Sequence, residues 1–409
     1  MSLNHGRHQV SIPGPSVIPD RVLSAMHRPM PNIYEGALVE TSESVLADLP
    51  GIALTTGRVF MAITNGHGAW EMALTNTLSK GDKVLVLESG RFAVGWGEMG
   101  RVIGLDPEVM EAGGPGKAVD PAAVEDRLRA DTNHEIKAIL VVQVDTASSV
   151  WNDISKLRKA IDAAGHPALY MVDCIASLGC MEYRMDEWGA DVTVGGSQKG
   201  LMVPPGLGLV WASKKALEAH NSADLRTAYW DWTARMKDGA HYLRYCGTPP
   251  IQHIYAMREA IDMIHEEGLE NIWARHGHFA RAVRAAVDEW STDNGLQFYV
   301  DQPANRGNST TSVRSGGVDA IRLRAICEKQ AGLTLGIGLG DDEPTTFRIG
   351  HMGHLNPPMV LGTLGTIESA LTAMEAPMGG SGIAAAARAL APGLNAGSIP
   401  CGSAQGFRP

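Results

Sequence analysis

The sequence predicts an α/β protein: a mostly parallel sheet covered by helices on both faces, followed by a smaller α+β unit. Three observations carry this. Over roughly the first 250 residues, short apolar runs alternate with stretches whose apolar residues recur at three-to-four spacing. Beyond that point the order changes to two long helical patterns and then shorter strand-like pieces. Finally, 409 residues are too many for one ordinary core and enough for two.

The buried strands read as "VFMAI" (59–63), "KVLVLE" (83–88), "IKAILVV" (136–142), "ALYMVD" (168–173), "DVTVGG" (191–196) and "LGLVWAS" (207–213). Between them lie helical stretches such as "GAWEMALTNTLSKGD", "DPAAVEDRLRADTNHE" and "DISKLRKAIDAAGH". In the second, Asp120 is suited to cap the helix and Pro121 to its first turn. Strands alternating with helices imply parallel neighbours buried on both faces. Two long helices then meet at Gly268, followed by strand-like "GLQFYV" (295–300), "STTSVR" (309–314) and "TTFRIGH" (345–351). From about Pro377 small residues dominate, with room for one short helix and a weakly structured end. These changes divide the chain into an N-terminal arm (1–20), a large domain (21–255), a small domain (256–378) and a C-terminal helix with a flexible tail (379–409).

Composition excludes several functions. A formal net charge of −10 argues against broad binding to nucleic acid or an anionic membrane, which requires a basic face. Five cysteines in so long a chain make no disulfide framework and fit a reducing compartment. "MSLNHGRHQV" lacks the apolar core of a signal peptide, and no run of about 18 apolar residues suggests a membrane span. The expectation is a cytoplasmic protein.

The most informative stretch is "VTVGGSQKGLMVPPG", where Lys199 sits on a turn between Gly-Gly and Pro-Pro-Gly. An amine so rigidly seated suits Schiff-base chemistry, which needs a deprotonated or carbonyl-linked lysine. Pyridoxal-type chemistry also needs a carboxylate that keeps the pyridine nitrogen protonated. Asp173 ends the strand "ALYMVD", and a buried acid there calls for a cation. A third need is a phosphate seat. "AITNGHGAWEMAL" supplies a strand, a small-residue turn with Gly66, His67 and Gly68, and a helix start whose free N–H groups bind anions. There the two glycines let the backbone approach the anion without a Cβ in the way. The fourth is a flat ring to stack on the cofactor, offered by Phe92 in "ESGRFAVGW". All four lie at C-terminal strand ends, where open α/β sheets bind ligands. Each feature alone is commonplace; their order and spacing together are the signal.

At these residues the chain resembles the class V pyridoxal-phosphate aminotransferases of fold type I. The likeness rests on "IPGPSVIPD", "NGHGAWEMALTNTLSKGDKVLV", "VDCIASLGCMEYRMDEWGADVTVGGSQKGLMVPPGLGLV" and "FRIGHMGH", and spans roughly residues 8–390. It is nearest the serine–glyoxylate and alanine–glyoxylate aminotransferase branch. The resemblance implies a seven-stranded, mostly parallel sheet, pyridoxal 5'-phosphate as cofactor, and a homodimer with shared active sites. It implies that Lys199 carries the cofactor as a Schiff base and serves as general base, while Asp173 pairs with the ring nitrogen. Gln198, Gly66 and His67 would then meet the phosphate, and Thr146 would hydrogen-bond the cofactor. Tyr245 and Thr248 match residues that reach the phosphate of the neighbouring subunit. Arg348 matches the arginine that clamps the substrate carboxylate, a task suited to a guanidinium fork. The implied reaction moves an amino group from a small L-amino acid of serine, alanine or aspartate type to a small 2-oxo acid such as glyoxylate or pyruvate, by way of pyridoxamine phosphate.

The chain also departs from that pattern. Asn32, Ile33 and Tyr34 stand where the branch has a segment lining the neighbour's substrate pocket. Gln143 replaces a histidine, Ser149 a glycine, and Asn65 and His67 stand where threonines are usual. These changes fall on substrate recognition and ring tuning, so they leave the donor open. Two other readings fit the same residues: a pyridoxal-phosphate lyase or desulfurase on this fold, and a non-catalytic sensor that binds the cofactor. No metal site is expected. His276 and His278, two apart on a helix, are read as a solvated face, and His351 as structural. Cys174, Cys180 and Cys327 are read as buried thiols.

Overall fold

The computed structural model describes residues 2–237 and 239–395. The strands among them are β1 (Gln9–Ser11), β2 (Arg58–Thr64), β3 (Lys83–Leu87), β4 (Asp106–Met110), β5 (Ile136–Val142), β6 (Leu169–Asp173), β7 (Val192–Gly196), β8 (Gly206–Ala212), β9 (Gln297–Phe298), β10 (Thr310–Arg314), β11 (Leu333–Ile337) and β12 (Thr346–Gly350). A seven-stranded sheet runs β2-β8-β7-β6-β5-β3-β4. Only β8 runs against its neighbours, β2 and β7; the other pairings are parallel.

Strand periodicity sorts the core onto two faces. Leu85, Leu87, Tyr170 and Val172 pack into one cluster with the helices Ala37–Ile52 and Ile251–Glu267. Val84, Val86, Leu169 and Met171 pack into another beneath the helices Gly66–Thr77 and Arg91–Ile103. Asp120 caps the helix Pro121–Ala130, accepting from the Ala122 N–H at 3.0 Å. The apolar-run pattern does not reveal β4, "DPEVM", because Pro107 alone of its residues is buried. Proline and acidic residues blunt an edge strand, which here is what ends the sheet.

The strand order reverses between β5 and β3, after the chain has passed through β4. The loops after β2, β3, β5, β6 and β7 therefore open on one edge, where this topology leaves a crevice.

A second, five-stranded sheet runs β1-β11-β12-β10-β9. Its core holds Val283, Val287, Trp290, Phe347, Ile349 and Leu364. The N-terminal arm is part of it, since β1 pairs in parallel with β11. Of the strand expected at 295–300, only Gln297 and Phe298 pair, against Arg314 and Val313. The helix Gly382–Asn395 packs back on this core through Ala386 and Leu390, and the expected flexible tail lies outside the described residues. No helix among the described residues is long and apolar enough to cross a membrane.

His276 corrects the sequence reading. It is fully buried rather than solvated, bonded to the Ile272 carbonyl at 2.8 Å and accepting the Gly353 N–H at 3.0 Å. Two histidines two positions apart point about 200° apart around a helix, so His276 faces the core and His278 does not. His351 is buried as well, held by Thr311 and the Asn308 carbonyl.

Candidate active site

Where the strand-end loops converge, a cavity of about 310 Å³ is lined by Gly14, Gly66, His67, Phe92, Thr146, Asp173, Gln198 and Lys199, among others. Seven of the sequence-derived residues thus share one enclosure; Gly14 comes from the arm and was not foreseen.

Lys199 lies on the turn after β7, with only 9% of its surface exposed. The turn is closed by its own bonds. Val203 N–H donates to the Ser197 carbonyl at 3.0 Å, and Ser197 Oγ donates to the Pro204 carbonyl at 2.7 Å. Gly200 sits against the Leu178 carbonyl, where a Cβ would collide. The arm then clamps the lysine from the other side. Lys199 Nζ donates to the Pro13 carbonyl, and Ser16 Oγ donates to the Lys199 carbonyl at 2.7 Å. Burial pulls the amine down to about 8, with the Arg348 charge adding to the effect and Asp173 opposing it.

Asp173 ends β6 and is buried. Its carboxylate accepts from Trp70 Nε1 at 2.8 Å and from the Ile175 N–H at 2.6 Å. Burial nonetheless raises it to about 7, because two donors do not replace lost water. A second buried acid, Asp145, escaped the sequence reading. It caps the start of the helix Arg91–Ile103, accepting from Phe92 N–H at 2.8 Å and Ala93 N–H at 3.1 Å. It thereby holds the backbone at Phe92, whose ring stands 6.3 Å from both His67 and Trp70.

The turn expected to seat a phosphate differs in detail from the expectation. Asn65 caps the helix, taking the His67 N–H at 3.0 Å, so that donor is already spent. Gly66 and Gly68, at the first and third helical positions, have N–H groups without an acceptor in the helix. Their missing Cβ atoms serve packing more than anion approach. A Cβ would strike Ile175 at Gly66, and Thr64 at Gly68, which does not line the cavity.

Gln198 lines the cavity with its Oε1 buried and without a partner. Since an amide can turn over, that position can equally present N–H donors. Arg348, from β12, is 8% exposed and bonds the Ile337 and Thr146 carbonyls, each at 2.6 Å, through Nε and Nη1. Burial lowers its guanidinium to about 10, opposed by the Asp145 charge. Nη2 has no acceptor among the described residues.

Five of the expected residues do not line the cavity: Gly68 and Arg348, and three that stand elsewhere in the isolated chain. Tyr245 is buried with its hydroxyl against Ser42, Thr248 is exposed, and Tyr34 is 70% exposed with its ring edge-on to Tyr242. Gln143 lies behind the site, its N–H on the Asp173 carbonyl at 2.9 Å and its Oε1 taking the Ser177 hydroxyl at 2.6 Å.

A buried lysine and a buried acid thus share one cavity at the sheet's switch point. The sequence profile described as aminotransferase class-V matches residues 22–350. The chain belongs to the class-V aminotransferases. This aminotransferase is 40% identical over 397 residues to the serine–glyoxylate aminotransferase of Methylorubrum extorquens, covering 93% of this chain and 95% of that one. It is 38% identical over 383 residues to the L-aspartate–glyoxylate aminotransferase of Paracoccus denitrificans, with 93% and 95% covered. In structure it is similar to the pyridoxamine–pyruvate aminotransferase of Mesorhizobium loti, with a TM-score of 0.86, 27% identity and 95% and 98% of the chains covered. Class-V aminotransferases imply pyridoxal phosphate, and the cavity fits it. Asp173 suits a ring nitrogen, the unpartnered Gln198 Oε1 position and the Gly66 N–H suit a phosphate, and Lys199 suits an aldehyde.

Proposed function

We propose that this aminotransferase moves an amino group from a small L-amino acid of serine, alanine or aspartate type to glyoxylate or pyruvate. The observation that carries the reading is that Lys199 and Asp173 share one buried cavity, the amine lowered to about 8 and the acid raised to about 7. Bound pyridoxal phosphate supplies an aldehyde for Lys199 and a ring that draws electron density from the substrate Cα. Asp173 holds a proton at the ring nitrogen and so keeps that ring electron-poor. Lys199, once its amine is free, is close enough to neutral pH to take the Cα proton and deliver it again. Arg348 offers Nη2 to the substrate carboxylate, and Phe92, in the cavity lining, offers a flat ring to stack on the cofactor. Glyoxylate is favoured as acceptor because two of the similar enzymes are named for it.

The reading includes a homodimer in the cytoplasm. Among the described residues the cavity lining holds no arginine, Arg348 standing beside it where its charge reaches Lys199, which leaves phosphate charge for a second subunit to meet. Thr248 is exposed, as a role in the neighbour's site requires, whereas the Tyr245 hydroxyl is held by Ser42. Tyr34, Ile63, Tyr229 and Leu243 are exposed apolar side chains, and Tyr229 is tied to Ile63 through its hydroxyl. The four described cysteines are free, in keeping with a reducing compartment. The same reading keeps the division into arm, large domain and small domain near residues 20, 255 and 378, while the core of the first sheet runs on through Ile272 and that of the second begins at Phe279.

A desulfurase is disfavoured. Cys327 is buried in the helix Ala320–Ala331 and its thiol is pushed up to about 12, so it offers no nucleophile to the cavity. The deciding experiment screens serine, alanine and aspartate against glyoxylate, pyruvate and 2-oxoglutarate, following both products. Release of pyruvate and ammonia from serine without an acceptor, in place of paired products, would overturn amino transfer.

A further inference from the structure

Ser149 has a φ of 66°, in the left-handed region that disfavours a side chain with a Cβ. Such a conformation persists when its surroundings hold it, and here they can be named. Ser149 N–H donates to the Asp145 carbonyl at 2.7 Å, and its own carbonyl accepts the Gly307 N–H at 3.0 Å. Its buried hydroxyl lies 2.8 Å from Ser312 Oγ, which in turn donates to the Ala147 carbonyl at 3.1 Å. The Ser149 hydroxyl also has Thr310 Oγ1 at 3.4 Å, but with the Ser312 proton spent on Ala147 the nearer Ser312 oxygen is its better acceptor.

Ser312 is the residue directly opposite Arg348 in the β10–β12 pair, so their side chains leave the same face of the sheet. Arg348 Nη1 reaches the same loop, donating to the Thr146 carbonyl at 2.6 Å. The loop 145–149 of the first sheet and the β10–β12 ribbon of the second are therefore joined at adjacent points, by a hydroxyl pair and by the arginine.

We infer that the Ser149–Ser312 hydroxyl pair is a latch that positions Arg348 for the substrate carboxylate, making both serines positioning residues. The inference rests on the reading of Arg348 as the carboxylate clamp. Without the latch, loop 145–149 can withdraw from β10, and the Thr146 carbonyl that holds one arm of the guanidinium goes with it. The chemistry at Lys199 is untouched, so the loss falls on binding.

The test uses the holoenzyme and five variants: Ser149→Ala, Ser149→Gly, Ser312→Ala, Ser312→Thr and Arg348→Lys. KM and kcat are measured with one amino donor and glyoxylate, together with the competitive inhibition constant of propionate, which reads the clamp without any chemistry. Ser149→Ala and Ser312→Ala are expected to raise KM and the propionate constant roughly 3- to 10-fold, the loss of a neutral hydrogen bond, with kcat within about twofold. Ser149→Gly is expected to do the same without lowering the melting temperature, since glycine accepts the left-handed backbone. Ser312→Thr keeps the hydroxyl and is expected to bind as the wild type does. If Arg348→Lys raises both constants and the serine variants leave them unchanged, the latch is wrong. If Ser149→Gly weakens binding only in step with a fall in melting temperature, general loosening explains it and the latch is again wrong. If Arg348→Lys leaves both constants unchanged, the clamp reading falls, and the latch with it.

Discussion

Trp70 Nε1 donates to Asp173 Oδ2 at 2.8 Å, tying the helix that follows the Gly66 turn to the acid that ends β6. One indole thus couples the phosphate side of the cavity to its ring-nitrogen side. Trp70→Phe keeps the ring and its packing on Trp96, at 5.9 Å between centroids, but leaves a buried carboxylate oxygen without its donor. Hydrogen bonds to charged groups are worth about 1.5–3 kcal/mol. The variant is therefore expected to fold and to lose roughly 10- to 100-fold in kcat/KM. Full activity in Trp70→Phe would show that the indole N–H has no part in tuning Asp173.

Lys199→Ala removes both the carbonyl-binding amine and the proton carrier, so turnover is expected to fall to the background rate. Borohydride reduction of the holoenzyme followed by peptide mapping should place the pyridoxyl group on Lys199 alone. A label on any other lysine, or substantial turnover in the alanine variant, contradicts the assignment.

How much of this was legible in the sequence depends on where each signal came from. The strands buried on both faces announce themselves as apolar runs, and Lys199, Asp173 and Gly66 stand out because each sits at a run's end. β4 stayed hidden because an edge strand carrying Pro107 and Glu108 has no apolar run to show. β1 stayed hidden because its partner β11 is distant in sequence, and three residues make no pattern. Trp70 lies inside a quoted motif, yet its role depends on which way the indole points, and spacing does not give that. Asp145 caps a helix far upstream of it in the chain, the reverse of the local caps that sequence reading looks for. The pair His276 and His278 reads as one solvated face, but the two point to opposite sides of the helix and His276 is core.

Gly14 has a φ of 89°, and a Cβ there would collide with Lys199 Cδ and Cε. Gly14→Ala is therefore expected to displace the lysine and reduce kcat by about tenfold or more, as misplacement of a reacting group does. Strain alone does not account for that. Gly113, with a φ of 85° and nothing near its missing Cβ, provides the control. Gly113→Ala should cost similar stability, about 1–2 kcal/mol, and leave kcat unchanged. Equal kcat in the two variants sinks the steric argument.

The amine of Lys199 gives a dependence on pH with a definite sign. Burial lowers it from the usual 10.5 to about 8, so the folded protein without cofactor sheds this proton while the unfolded chain still holds it. Between those two values the unfolded state binds more protons, and stability attributable to this group rises with pH. Below about pH 8 the folded state bears the full cost of a buried ammonium. Lys199→Met removes that cost. Its advantage in melting temperature over the wild-type apoprotein should be constant below about pH 8 and shrink as pH climbs toward 10.5. Reconstitution should report the same group, since only the neutral amine attacks an aldehyde. The rate of pyridoxal phosphate uptake is expected to rise about tenfold per pH unit below the transition and to level off above about pH 8. A rate still rising tenfold per unit beyond pH 9 would mean that Lys199 behaves as an ordinary solvated lysine, and the cavity would then not be the environment that activates it.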